Sequence, residues 1–317
     1  MDAFINFLYA AIISATPLLF GTLGEIITEK VGNLNLGVEG MMWLGAFSGF
    51  YVAFKTDSLL LSLVASFAFA ALGAALYAFL TITLRANQNV TGLTLTTFGI
   101  GIAKVLGYAM TSVTKQPQIS DSLNQKVSAL NLPFLTNIPY VGKLLFNYNI
   151  LVYFAVILSV LFYLYFKHTK RGLNVRAVGE NPAAADAAGI NVTVQKYIHV
   201  ILGGGICGIG GAYMSLISGN GTWHSGGVVN GYGWIAVALV IFASWNPARA
   251  IVGSLIFGMF ASLQNYVPAS VVTLPTPIYQ MLPFLLTTIV LIITSIRKSK
   301  ENQQPASCGL NYFREER

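Results

Sequence analysis

The sequence predicts an all-α fold, a polytopic bundle of transmembrane helices, and two observations carry that expectation. Only 9% of the 317 residues are charged, where a soluble domain has about a quarter, and 55% are hydrophobic, with a mean hydropathy of +0.67. Apolar runs of about 20 residues recur along the whole length, each long enough to cross a bilayer. Barrel strands would show only about 10 alternating residues per crossing. Nine spans follow, at about 3–28, 36–54, 58–84, 90–113, 150–167, 197–217, 229–245, 250–266 and 279–296. A total of nine to ten leaves room for a broken or re-entrant segment. Together they form a single transmembrane domain over 1–300, followed by a polar tail, 301–317, expected to be partly disordered.

Orientation comes from the basic residues. With the N-terminus outside, the inner segments hold Lys30, Arg85, Lys167, Lys170, Arg171, Arg176, Lys196, Arg249, Arg297, Lys298, Lys300, Arg314 and Arg317. The outer segments hold only Lys55, Lys115, Lys126 and Lys143, and Lys104 falls inside a span. The tail and the 168–196 loop are therefore expected in the cytoplasm. The net charge of +7 belongs to those loops and gives no reason to expect nucleic acid. The first run opens Met1-Asp2 without a basic leader, so it is expected to stay as an anchor in the lipid. Cys207 and Cys308 offer neither a disulfide nor a metal site, and no cofactor is implied.

The first span ends in Glu25-Ile26-Ile27-Thr28-Glu29-Lys30, and an elbow, Val31 to Gly40, follows. It holds Gly32, Gly37, Gly40, Asn33, Asn35 and Glu39. Non-helical backbone at membrane depth survives only where protein or a watery cavity covers it. The elbow is then either the mouth of such a cavity or a plain turn with Glu39 at the headgroups. Gly45 and Gly49 in the second span have the spacing that lets helices approach closely.

The fourth span carries Thr91, Thr94, Thr96, Thr97 and then Lys104, too deep for easy snorkelling. A charge there costs at least about 2.5 kcal/mol. It either lines a pathway, belongs to a structural ion pair, or marks a misplaced span boundary. The segment 114–149 is the longest connection, open to an outer partner or simply a link. The sixth span is dense in glycine, Gly203 to Gly211, and points to backbone-to-backbone packing. The eighth ends in Gln264-Asn265-Tyr266, polar groups that need partners in lipid.

The most informative stretch is Arg176-Ala177-Val178-Gly179-Glu180-Asn181-Pro182-Ala183-Ala184-Ala185-Asp186-Ala187-Ala188-Gly189-Ile190. Asn181 is suited to N-cap a helix and Pro182 to open it. Gly189 is suited to end it in a left-handed turn. Two turns of helix are not stable alone, so an outside cleft is expected to grip the alanine face. This is the expected coupling helix, with Arg176, Gly179, Glu180, Asn181, Pro182, Ala184, Ala185, Ala188 and Gly189 as the contacts to a motor. The substrate route is expected to use Asn35, Glu39, Thr97, Lys104 and Gln264.

Gly32 to Gly40, Arg176 to Pro182 and the alanine run to Ile190 together resemble the permeases of ABC importers for branched-chain amino acids and simple sugars. Within that family the similarity is greatest to the nucleoside subgroup served by basic-membrane-protein lipoproteins, and the ending Pro305 to Arg317 looks like that of its shorter permease. The resemblance implies a bacterial plasma-membrane protein, a second, paralogous permease in a heterodimer, an ABC ATPase and an extracytoplasmic binding lipoprotein, all against membrane lipid. It also implies a transport subunit that hydrolyses nothing itself; no GxxxxGK[ST] motif occurs. An ion-coupled secondary transporter is the alternative, disfavoured by the scarcity of intramembrane acids. An intramembrane enzyme lacks its parts: His168, His199 and His224 do not cluster with Cys or acids, and neither HExxH nor GxSxG occurs.

Overall fold

The structure is a computed structural model and describes residues 2–114, 116–127, 146–224, 227–266, 276–297 and 303–314. Its helices are α1 (Asp2–Lys30), α2 (Val38–Thr56), α3 (Leu59–Ala78, continued by a π turn Phe79–Thr83), α4 (Gln88–Thr114) and α5 (Asp121–Val127). Then come α6 (Ile150–His168), α7 (Lys170–Glu180), α8 (Pro182–Ala187), α9 (Val192–Tyr213, with a π turn Met214–Ser218), α10 (Tyr232–Phe242), α11 (Pro247–Tyr266) and α12 (Thr276–Arg297). No strand occurs among the described residues, only the isolated bridge Gln118–Thr222. Each predicted span falls on one helix. The all-α membrane bundle expected from composition is the fold observed.

At the centre stands α9, whose glycines meet three neighbours at once. Gly203 lies against Gly24 of α1, Gly211 against Met42 of α2, and Gly208 against Ser66 and Ala70 of α3. A methyl group at any of them would strike its neighbour. Gly45 and Gly49 meet Gly208 and Ala212, as their spacing suggests. Hydrogen bonds tie the same contacts: Ser66 Oγ donates to Gly208 O at 2.6 Å, Ser62 Oγ to Gly49 O at 2.7 Å, and Ser215 Oγ to Ala46 O at 3.0 Å. In lipid such approaches replace the hydrophobic effect as the packing force. The spacing Gly203-Gly204-Gly205-Ile206-Cys207-Gly208 formally matches the GxGxxG pattern of dinucleotide-binding loops. Here it lies inside a buried helix with no strand before it, so it packs helices and cradles no phosphate.

Two expectations change. The predicted span 229–245 is a helix of only 11 residues, about 16 Å long, half the hydrocarbon thickness of about 30 Å. It is a half-helix entered through irregular backbone, with positive φ at Asn230 and Gly231. The 168–196 loop is also more ordered than a loop. It contains α7, N-capped by Thr169, whose Oγ1 accepts from Gly172 N at 2.9 Å.

Beyond the far end of α4, residues 116–127 fold onto 219–224, with Ile119 N donating to Gly221 O at 2.9 Å and Trp223 N to Pro117 O at 3.1 Å. Trp223 is buried against Phe47 and Phe50. The rest of the long connection, 128–145, lies outside the described residues.

Candidate functional site: a capped half-helix, a polar helix face and a short self-capped helix

The elbow after α1 is folded inward. Glu25, Glu29, Asn33 and Asn35 are all buried. Glu25 Oε1 accepts from Asn35 N at 2.9 Å, and Glu29 Oε2 accepts from the indole N–H of Trp245. Asn35 turns its own side chain back, Oδ1 accepting from Gly37 N at 2.9 Å. Asn35, expected on the substrate route, is therefore a turn former in this conformation. Glu25 and Glu29 were passed over in the sequence; two acids one helical turn apart at the end of a span, facing two asparagines, were the available signal.

Glu39 is placed more tellingly. It is 4% exposed, and both carboxylate oxygens are used by the start of the half-helix. Oε1 accepts from Gly231 N at 2.9 Å and from Trp43 Nε1 at 3.2 Å; Oε2 accepts from Gly233 N at 2.7 Å. A helix N-terminus leaves free N–H groups and a partial positive charge, which a carboxylate satisfies. Gly233 has no room for a side chain because Glu39 backbone fills the space. Gly40, next to Glu39, packs on Leu95, Thr96 and Gly99, near the middle of α4, so this cap lies deep in the bundle. Glu39 is thus buried in protein, at the start of α2 and beside the middle of α4, and is not a free side chain on a plain turn.

Across Trp43 from this cap stands Lys104, its Nζ 5.5 Å from the indole centroid, a cation–π contact. Lys104 is exposed and makes no ion pair among the described residues. It belongs to one face of α4 with Thr97, Gly101 and Tyr108, at spacings of three and four residues, all exposed. The opposite face, Thr91, Leu95, Thr96, Gly99 and Ala103, is buried against the bundle. Thr97 satisfies its hydroxyl on Thr94 O at 2.8 Å. The side chain of Gln264 lies outside the described residues. Thus Thr97 and Lys104 share an open face, while Asn35 and Glu39 lie behind it.

Sequence reasoning also missed a cavity of about 600 Å³ beside the N-terminus of α10. Asn230, Tyr232, Trp234, Phe260, Tyr279 and Phe284 line it. Its size and aromatic walls suit a flat, drug-sized ligand. The aromatics come from three helices, so no spacing in the sequence announces them.

At the cytoplasm-facing end predicted from the basic residues, the short helix forms as written in the chain. Asn181 Oδ1 accepts from Ala184 N at 2.9 Å, and Pro182 is the first helical residue. Gly189 has φ +83°, with Ile190 N donating to Ala185 O at 3.0 Å. Arg176, Glu180, Asn181, Ala184, Ala188 and Gly189 are exposed, and Pro182 is half-buried. Gly179 and Ala185 are buried, Gly179 under Lys30 and Pro305, so these two of the expected contacts pack within the chain and are not open to an outside surface.

The chain matches, over residues 7–291, the family model described as a branched-chain amino acid transport system permease component. It belongs to that family of ABC transporter permeases. The relatives of this permease include the nucleoside ABC transporter permease protein NupC of Lactococcus lactis, 36% identical over 96% of this chain and 95% of that one. The putative glucose ABC transporter permease protein TsgC13 of Haloferax volcanii is 39% identical over 81% and 76%. The guanosine ABC transporter permease protein NupQ of Bacillus subtilis is 33% identical over 89% of each. The permease is thus a multi-pass membrane protein that serves as a transport subunit, and the ion-coupled alternative is not favoured.

Proposed function

We propose that this permease carries nucleosides into the cell as one half of a heterodimeric membrane channel driven by a separate ABC ATPase. Its N-terminus is outside and its C-terminus inside. A lipoprotein delivers the substrate to the outer face. The route runs along the open face of α4, with Thr97 and Lys104 offering hydrogen bonds and a positive charge to the solute. Lys104 supports this most directly: a membrane-helix cation with no ion pair among the described residues has a low cost only when it faces water or a polar partner. The aromatic cavity beside α10 favours a nucleoside over a bare sugar, since a base offers a ring to stack and each stacked base contributes about 1–3 kcal/mol.

Coupling runs through α8. Its exposed Ala184, with Ala188 and Gly189 just past its end, presents a small, side-chain-poor ridge that fits a cleft on a motor. The test is uptake of labelled nucleoside, with labelled glucose in parallel, by cells carrying Ala188→Arg. Nucleoside uptake is expected to collapse while the helix bundle stays folded. Normal uptake with the ATPase still bound would remove α8 from the coupling step. Glucose uptake exceeding nucleoside uptake in the unaltered protein would replace the substrate.

A further inference from the structure

The C-terminal tail, expected to be partly disordered, is folded against four other pieces of the chain over residues 303–314. At the end of α7, Ser307 N donates to Gly179 O at 2.9 Å, and Ser307 Oγ donates to the same oxygen at 2.6 Å. These bonds satisfy a carbonyl that the helix end leaves without an internal partner. Ser307 also fills the space beside Gly32 of the elbow, where φ is +88° and a side chain has no room. Burial there pushes the thiol of Cys308 up, so it stays protonated at neutral pH.

The last turn of the tail reaches two further elements. Tyr312 Oη donates to Asp186 Oδ2 of α8 at 2.8 Å, and Arg314 Nε lies 3.1 Å from the same oxygen. Asn311 Nδ2 donates to Arg85 O at 2.6 Å and to Ala86 O at 3.2 Å, in the turn before α4. Gln88, the first residue of α4, donates through Nε2 to Asn311 Oδ1 at 3.1 Å. The Arg85 guanidinium stacks on the Phe313 ring, 3.5 Å from its centroid. Direct packing of α8 is on α7 and α9, so the tail supplies its hydrogen-bonded link to α4.

We propose that the tail is a tie that transmits displacement of α8 to the N-terminal end of α4. Asp186 and Tyr312 form one end of the tie, and Asn311 with Arg85 and Gln88 forms the other. Movement imposed on α8 then shifts the helix whose open face carries Thr97 and Lys104. The proposal rests on the reading of α8 as the motor-driven lever, and it assigns the next step in that chain. Three hydrogen bonds and a cation–π stack at the far end make the tie stiff relative to an exposed strand.

The experiment uses the complete transporter in proteoliposomes, comparing the full chain with a chain stopped after Leu310. ATPase co-purification, ATP hydrolysis and labelled-nucleoside uptake are measured together. Assembly and hydrolysis are expected to persist, while uptake per ATP falls about tenfold, within the usual range for coupling between distant sites. The double variant Asn311→Ala, Tyr312→Phe keeps the Ser307 anchors and is expected to lower the same ratio; it decides the matter if the shortened chain does not fold. An unchanged ratio in the double variant would overturn the tie. So would loss of ATPase co-purification in a folded variant, since the tail would then belong to docking and not to transmission. Failure of the unaltered transporter to couple ATP to uptake would overturn the earlier functional reading instead, whatever the tail variants do.

Discussion

Two short helices of this permease, α8 and α10, solve the same problem by opposite means. Neither is long enough to be stable alone. The six-residue α8 is capped by its own neighbour Asn181, three residues from the N–H it accepts. The eleven-residue α10 has no side-chain cap of its own and borrows Glu39, 192 residues away, at Gly231. Because Asn181 is its immediate neighbour, the cap of α8 travels with the helix wherever it moves. The half-helix is built to stay fixed to α2, because losing that contact strips its cap. A local cap suits a moving part and a distant cap suits an anchored one.

The comparison breaks most sharply at Glu39. Glu39→Ala leaves the buried N–H of Gly233 and the half-buried N–H of Gly231 without an acceptor, and a fully buried orphan of this kind costs about 1–3 kcal/mol. Thermal unfolding of the purified permease in detergent is expected to show the largest loss of the set, with Glu39→Gln intermediate because it keeps an acceptor. Wild-type stability in Glu39→Ala would mean that α10 is held by packing alone. Gly233→Ala probes the same junction sterically. Its methyl group would strike Glu39 backbone, and overpacking of this kind costs typically 1–3 kcal/mol, or about 2 here.

Asn181→Ala is expected to cost only about 1 kcal/mol, confined to α8. The melting temperature should barely move, while hydrogen exchange at Ala184 and Ala185 rises and nucleoside uptake falls. A large global destabilisation would show that α8 is as anchored as α10. Lys104→Met should have the smallest effect on folding and is the sharpest test of the α4 face. Removing a charge from an open membrane face leaves stability unchanged or improved, while uptake drops. A clear loss of stability would reveal a structural partner for Lys104 and move the route elsewhere.

Much of this was legible in order along the chain. The spans were readable because lipid demands about 20 apolar residues per crossing. The α8 cap, first turn and ending were readable because Asn181, Pro182 and Gly189 act on backbone within a few residues of themselves. The packing role of the glycines in α9 was readable because close approach needs small side chains whatever the neighbour is. Glu39 was visible as an oddity, but its role was not, because its partners lie in a span that looked continuous. Glu29 was obscured for the same reason, its partner Trp245 lying in that span, whereas Glu25 bonds to the nearby Asn35 and left a signal in the spacing of the two acids; the aromatic cavity left none. The partners of the tail were not legible either: its polar composition does not say that its hydrogen-bonding groups meet the Arg85–Ala86 turn and Asp186.

By itself, then, the sequence determined the membrane bundle, the sites of its helices and the self-capped helix α8, all products of interactions a few residues long or of the solvent. Tertiary structure alone decided that one span stops halfway, that Glu39 closes its end, and that the tail joins α8 to α4. Those outcomes depend on backbone groups left unpaired in one segment and satisfied by another far away, and only the folded chain brings the two together.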